Sequence, residues 1–275
     1  MSADARALVT FLGEAGSLVV VSGAGVSTDS GIPDYRDRNG EWKHAKPVQY
    51  ADFVARPDTR RRYWARSMSG WSRMAGAQPN GAHRALADIE AGGKLDTLIT
   101  QNVDRLHQSA GSRKVIDLHG TLAEVHCLSC EFRQSRTEWQ ARLSAANAGW
   151  RASVSSIRPD GDAELVEAVY KDFEVPACPA CGGIVKPDVV FFGESVPTAR
   201  VAAAMAALER AAALLVVGSS LMVFSGYRFA RRANELGKPI AIVNRGRTRA
   251  DDIATLKLDA DCAAVLTAAA GMLDV

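Results

Sequence analysis

Six short apolar runs set the limits on this fold. Residues 18–21, 95–99, 115–118, 189–192, 214–217 and 240–243 are rich in Val, Ile and Leu, apart from the Phe pair in 189–192, and each is followed by a glycine or a polar residue. Runs of that length and composition read as buried strands. Alanine-rich stretches with helical spacing lie between several of them, most clearly at 199–213 and 227–236. Strands that alternate with helices imply an α/β protein with a mainly parallel sheet, covered on both faces.

Two regions break the rhythm. From 121 to 186 there is no comparable sheet pattern, only cysteine pairs, the polar segment RQSRTEWQARLSAANAGW and a turn signal at Asp160-Gly161. This reads as a small module inserted into the α/β domain. Residues 36–80 are irregular too, with aromatics at scattered spacings from Tyr35 and Trp42 to Trp71. There is no internal repeat and no low-complexity tract.

Composition narrows the function classes. The 33 basic and 31 acidic side chains nearly cancel, so neither nucleic acid nor an acidic membrane surface is demanded as a partner. The triplet Arg60, Arg61 and Arg62 reads as a solvated helix face. No apolar stretch reaches membrane-spanning length, and the N-terminal residues lack a signal-peptide core, so a cytoplasmic location is expected. Four of the five cysteines form two close pairs, which in a reducing compartment suggests metal, not disulfides.

Several polar clusters follow the candidate strands. Ser22, Gly23, Ala24, Gly25, Val26 and Ser27 follow the first run, where glycines would let backbone N–H groups approach a phosphate at a helix N-terminus. The third glycine comes late, at Gly31, and a tight turn uses the same glycines for packing. Gln101 and Asn102, His119 and Gly120, Gly193 and Glu194, Gly218 to Ser220, and Asn244 stand at other strand ends. Ligands of open α/β sheets bind beyond the carboxyl ends of strands, so these clusters suggest one crevice.

Cys127, Cys130, Cys178 and Cys181 supply four thiolates, enough for a closed tetrahedral zinc site with no open position for catalysis. Redox pairs or an iron–sulfur site share this spacing. Cys262 has no partner and reads as a small buried residue, near a ligand or not. Of the five histidines, His119 at a strand end is the best candidate base, because a free imidazole titrates near neutral pH; a satisfied structural histidine is the alternative. His107 reads as a structural residue on a helix. His126 could join the metal, but four cysteines make it unnecessary. His44 and His83 have no supporting context.

Together, GAGVSTDSGIPDYR, QNVDRLH, LHG, the cysteine pairs, KPDVVFFGE, GSSLMVFSGYRFA and the Asn244 segment resemble the sirtuin family, in the family's order and over nearly the whole chain. PDVVFFGE, SGYRFA, DDIATLKL and the long stretch between the cysteine pairs resemble its class II branch. The resemblance implies a Rossmann-like domain over 1–36, 81–120 and 187–275, a helical module over 37–80 and a zinc module over 121–186. It implies an NAD-dependent protein-lysine deacylase that yields nicotinamide and O-acyl-ADP-ribose. Asn102, Asp104 and His119 would be catalytic, with His119 the base. Gly23, Ala24, Gly25, Tyr35, Arg36, Gln101, Asn102 and Asp104 would line the NAD site, and Gly218, Ser219, Ser220, Asn244, Gly246 and Cys262 would hold its adenosine half. One structural zinc is implied. Val190, Phe191, Gly193 and Glu194 would form an edge to which an acylated lysine peptide adds as a strand.

Tyr63 and Arg66 have the Tyr-x-x-Arg spacing of sirtuins that prefer acidic acyl chains, and on a helix they share a face. The plainer reading, slightly favoured, makes Arg66 a surface arginine and Tyr63 a core residue. A mono-ADP-ribosyltransferase would use the same residues, and a non-catalytic NAD sensor would be expected to lack His119, Asn102 or Asp104. A monomer is the default expectation.

Overall fold

The computed structural model describes residues 2–43, 47–158, 160–166 and 170–273, so His44 lies outside the described residues. In chain order the strands are β1 (Leu18–Ser22), β2 (Leu95–Thr100), β3 (Val115–Asp117), β4 (Gly120–Cys127), β5 (Arg133–Ser135), β6 (Ser153–Ile157), β7 (Ala163–Val166), β8 (Val185–Val189), β9 (Ala213–Val217), β10 (Ile240–Val243) and β11 (Leu256–Leu258). The helices are α1 (Ala3–Glu14), α2 (Tyr50–Ala55), α3 (Pro57–Ala75), α4 (Gly81–Ala91), α5 (Leu106–Ser109), α6 (Arg136–Ala146), α7 (Thr198–Arg210), α8 (Phe224–Glu235) and α9 (Cys262–Ala270). The chain divides into two compact units. Unit 1 is Met1–His44, Gln78–Leu118 and Val196–Val275, and unit 2 is Ala45–Ala77 and His119–Ser195.

Unit 1 is the Rossmann-like body. Its six strands run parallel in the order β11-β10-β9-β1-β2-β3. β1 sits inside the sheet between β2 and β9, and all five of its residues are buried, which explains why LVVVS is apolar without alternation. One core joins Leu8 and Leu12 of α1, Leu86 and Ile89 of α4 and Leu266 of α9 to Val20 and Leu215. The other joins Leu208 of α7 and Phe229 of α8 to Val19, Val21, Val216 and Ile242. Alternate residues of β1 thus feed opposite cores. Helix starts follow side-chain chemistry: Asn80 and His83 form a capping box on α4, and Asp261 caps α9.

Unit 2 is built of smaller pieces. β4 pairs antiparallel with β5 and β8, and β6 pairs antiparallel with β7. Pro57 opens α3 and Ser135 with Glu138 closes a capping box on α6. The turn expected at Asp160-Gly161 links β6 to β7, with Gly161 at φ +78°.

Three expectations are corrected. The run 189–192 is not a strand of the parallel sheet: β8 ends at Val189 and pairs with β4 in unit 2. The apolar run resembled the others because the Phe191 side chain is buried there as well. Residues 119–120 and 187–195, expected in the Rossmann-like domain, cluster with unit 2, while 37–43 and 78–80, expected in the helical module, cluster with unit 1. The segment 121–186, expected to lack sheet, holds most of β4, all of β5 to β7 and the start of β8. β5 and β6 are short and polar, while Glu124 and His126 interrupt β4 and Lys186, Pro187 and Asp188 interrupt β8, so none shows the continuous apolar signature of a buried parallel strand.

Candidate active site and metal centre

In unit 1 the carboxyl ends of β1, β2, β9 and β10 carry buried polar residues: Ser22, Ser27, Asn102, Ser219 and Asn244. The turn after β1 runs through two short 3-10 turns, Ala24–Val26 and Thr28–Ser30, not into an α-helix as expected. Short polar side chains there bond their own backbone, as Thr28 Oγ1 does with the Gly25 carbonyl at 3.1 Å, and so compete with helix formation. The glycines serve close packing of two turns. Gly25 N–H donates to the Gly218 carbonyl at 2.8 Å, and a Cβ on Gly218, at φ +57°, would stand 2.4 Å from Val26 N.

Ser27 links the two halves of the QNVDRLH segment. Asn102 Nδ2 donates to Ser27 Oγ at 3.0 Å and to the Gly23 carbonyl at 3.1 Å, and Ser27 Oγ donates to Asp104 Oδ2 at 2.7 Å. Burial pushes the Asp104 carboxyl above its usual range, partly offset by the Leu106 N–H and the Ser27 hydroxyl. Arg105 between them adopts φ +65°; the only other non-glycine at positive φ among the described residues is Leu221 at φ +55° in the turn after β9. Gln101 Nε2 donates to Ser219 Oγ at 2.7 Å, tying the end of β2 to that same turn.

The remaining expected cofactor residues are also in unit 1. Arg36 lies over the Trp42 ring at 4.1 Å, and Tyr35 meets Trp42 edge to face. Ser220 accepts from Arg249 N–H at 2.9 Å, and Gly246, at φ +80°, donates to Asp259 at 2.7 Å. Cys262 is buried, with Sγ donating to the Gly25 carbonyl at 3.4 Å; burial, with Asp261 and Asp29 nearby, pushes the thiol up to about 12. A glycine cradle and buried amide and hydroxyl groups beyond parallel strands are donors suited to a dinucleotide.

Unit 2 brings Cys127, Cys130, Cys178 and Cys181 together, with all four Sγ atoms within 4.8 Å of one another. Cys127 and Cys181 stand 3.5 Å apart, and Cys130 and Cys178 3.7 Å. A tetrahedral zinc with Zn–S bonds of ~2.3 Å implies S···S edges of ~3.8 Å, so the thiols fit that ion. His126 is outside the cluster; its Nδ1 lies 3.2 Å from Asp188, whose carboxyl it holds down to about 2.

His119 is half-buried and opens the second stretch of unit 2 directly after Leu118. Leu118 N–H donates to the Thr100 carbonyl at 2.8 Å, and Val190 N–H donates to the His119 carbonyl at 2.8 Å. The expected docking segment follows β8: Phe192 bridges Gln49 in parallel, Glu194 N–H donates to the Phe191 carbonyl, and Gly193 has φ +79°.

Tyr63 is core, ringed edge to face by Phe53, Trp64 and Phe191. Arg66 is not the surface arginine expected. It is 4% exposed, donates from Nε to the Ala163 carbonyl at 3.0 Å and stands 3.9 Å from Asp162. The sequence offered no hint of this, because β7 and the Asp162 turn are distant in the chain.

His107 and His83 are structural residues. His107 Nε2 lies 2.8 Å from Ser22 Oγ, and burial holds the ring well below its ordinary range. His83 Nδ1 accepts from Asn80 N–H at 3.3 Å. Ser27 stood out in the sequence only as part of the turn after β1, and Lys186 only as the first residue of KPDVVFFGE; neither carried a role of its own.

The Sir2 family matches residues 23–225 of this chain. An NAD-dependent protein deacetylase of Xanthomonas axonopodis pv. citri is 56% identical over 263 residues, covering 96% of this chain and 90% of that one. A solved Sir2 variant with a deacetylated p53 peptide and 3′-O-acetyl ADP-ribose is 33% identical, with a TM-score of 0.79 and 98% of each chain covered. Sir2Tm bound to a propionylated peptide is 33% identical, with a TM-score of 0.75, covering 95% of this chain and 94% of that one.

Proposed function

The chain belongs to the Sir2 family, and on that footing we propose how its residues divide the work of an NAD-dependent protein deacetylase. The enzyme removes an acyl group from a protein lysine and consumes NAD and one water, releasing nicotinamide, free lysine and an O-acyl-ADP-ribose. NAD supplies the ribose carbon that accepts the acyl oxygen as nicotinamide departs.

The observation that carries the assignment is the Asn102–Ser27–Asp104 chain of hydrogen bonds, buried beyond β1 and β2. It holds an amide and a carboxyl in fixed orientation, as binding of a ribose hydroxyl and a carboxamide requires. Gly23, Ala24, Gly25, Tyr35, Arg36 and Gln101 complete this part of the cofactor site. Gly218, Ser219, Ser220, Asn244, Gly246 and Cys262 take the adenosine half. His119 Nε2 or Nδ1 takes the proton of a ribose hydroxyl, so that its oxygen can attack the bound acyl carbon. Hydrogen bonds at Leu118 and His119 hold the backbone of that base on both sides. The four thiolates would hold one structural zinc, which would stabilise unit 2 and take no part in the reaction.

A solved relative is bound to a propionylated peptide, and residues 190–194 offer the main-chain groups to which such a substrate adds as a strand. A reducing, cytoplasmic setting accords with four cysteines arranged for metal, and among the described residues no helix is long and apolar enough to cross a membrane. The reading needs no nucleic acid and only one copy of the chain.

The test is nicotinamide release from NAD, with and without acyl-lysine peptides, in wild type and His119→Ala, with products read by mass spectrometry. Peptide-dependent release with an O-acyl-ADP-ribose product, lost in a folded His119→Ala, is the expected result. Full activity in the variant refutes the base, and label from radioactive NAD remaining on protein assigns ADP-ribosyl transfer.

A further inference from the structure

A buried lysine in unit 2 has no place in the chemistry above. Lys186 lies on β8 and is 2% exposed. Its Nζ forms an ion pair with Glu194 Oε2 at 3.1 Å and donates to the carbonyls of Val189 and of Pro187, the latter at 3.3 Å. It also faces the Phe191 ring at 4.8 Å. Glu194 Oε2 in turn accepts from the Phe191 N–H at 2.8 Å. Burying an ammonium is costly unless it is paired and its protons are used. Glu194, Val189, Pro187 and Phe191 all lie within the eight residues that follow it, and the Tyr50 ring stands 6.0 Å from the same Nζ.

We infer that Lys186 and Glu194 are positioning residues that clamp residues 189–194 into the shape to which the substrate peptide adds. The proposal rests on the reading of 190–194 as the docking edge. The lysine fixes the carbonyl of Val189, where β8 ends. The glutamate fixes the N–H of Phe191, two residues on, and the Glu194 N–H closes the turn on the Phe191 carbonyl at 3.0 Å. Gly193 at φ +79° permits that closure. One ion pair thus spans the start and the end of the segment. Strand addition depends on the direction of main-chain groups, so a segment locked before the peptide arrives loses less entropy on binding. The clamp acts on peptide affinity, because the contacts just named all serve the main chain of the docking segment.

The test compares wild type, Lys186→Met, Glu194→Gln and the double variant. Methionine keeps the stem and removes the charge; glutamine keeps an acceptor for the Phe191 N–H. The double variant leaves no buried charge unpaired and keeps the protein folded if the single change does not. Steady-state kinetics are measured with an acetyl-lysine peptide and with NAD, beside thermal melting. In Lys186→Met and in the double variant the KM for peptide rises about ten- to a hundredfold, while the KM for NAD stays within about twofold. Melting recovers in the double variant but peptide KM does not. An unchanged peptide KM in the folded double variant, or parallel rises in both KM values, overturns the proposal. The docking edge is tested separately with a peptide N-methylated beside the acetyl-lysine. If wild type binds it as tightly as the parent peptide, the edge reading itself fails, whatever Lys186 does.

Discussion

Ser27 donates a 2.7 Å hydrogen bond to Asp104 across 77 positions of sequence while it accepts from Asn102 at 3.0 Å. The hydroxyl therefore orients two of the expected catalytic side chains at once. Hydrogen bonds to charged groups are worth about 1.5–3 kcal/mol, so Ser27→Ala should lower kcat/KM for NAD about ten- to a hundredfold. Steady-state nicotinamide release measures it, and an unaltered kcat/KM removes Ser27 from the site.

Gly218 is irreplaceable for a different reason. Its φ of +57° and the 2.4 Å from a Cβ to Val26 N leave no room for alanine. The left-handed backbone alone costs a non-glycine residue about 1–2 kcal/mol. Gly218→Ala should push the two turns apart, lower the melting temperature and raise the KM for NAD more than that for peptide. A variant that matches wild type in calorimetric NAD binding contradicts the cradle.

The edge-to-face pair His83 and His107, with ring centroids 4.8 Å apart, predicts a pH dependence of stability. Burial lowers His83 from its ordinary 6.5 to about 4, and lowers His107 well below its range. The unfolded chain thus binds more protons than the folded one below about pH 6.5, and stability is present above that value and lost as pH falls toward 4. His83 alone should cost about 2 kcal/mol at pH 5. Melting should fall less steeply with acid in His83→Gln, which keeps an acceptor for Asn80 N–H and does not titrate. Identical slopes in the two proteins would falsify the assignment.

The zinc prediction is structural. Purified protein should carry about one zinc per chain. A chelator strong enough to strip it should abolish deacetylation and lower the melting temperature, and added zinc should restore both. Full activity in protein shown by elemental analysis to be metal-free excludes that role.

Arg66 bears on acyl choice. With Nε on the Ala163 carbonyl and Asp162 at 3.9 Å, it serves the buried turn after β6. Removing one partner of a buried pair costs about 3–5 kcal/mol, so Arg66→Met should destabilise the protein strongly. Turnover of acetyl-, succinyl- and glutaryl-lysine peptides should fall together, and Arg66→Met with Asp162→Asn should regain part of the melting temperature. A loss confined to the acidic acyl groups would show that the guanidinium reads the substrate.

The parallel sheet was legible because β1, β9 and β10 are buried on both faces and need unbroken apolar runs, and β2 departs from that at Asp96 and Thr97. The zinc thiols were legible because their spacing is set by short loops. β11 was missed: LKL is three residues long and half polar, an edge strand defined by its pairing with β10. Val189 misled because it looks like a sheet strand yet pairs with Gly120, a contact fixed only in three dimensions. Ser27, Arg66 and Lys186 share that cause. Each is a common residue type whose role comes from partners that only folding supplies.

The sheet order β11-β10-β9-β1-β2-β3 has a consequence during synthesis. Once β3 has been made, β1 can pair with β2, but its other edge belongs to β9, roughly 100 residues downstream. A ribosome adding about 5–20 residues per second leaves that apolar edge open for about 5–20 s. An unpaired edge of Leu18, Val19, Val20 and Val21 is a template for pairing with another chain. The nascent protein thus passes through its most aggregation-prone stage while unit 2 is being translated, and yield on expression should respond to whatever shields that edge in the interval.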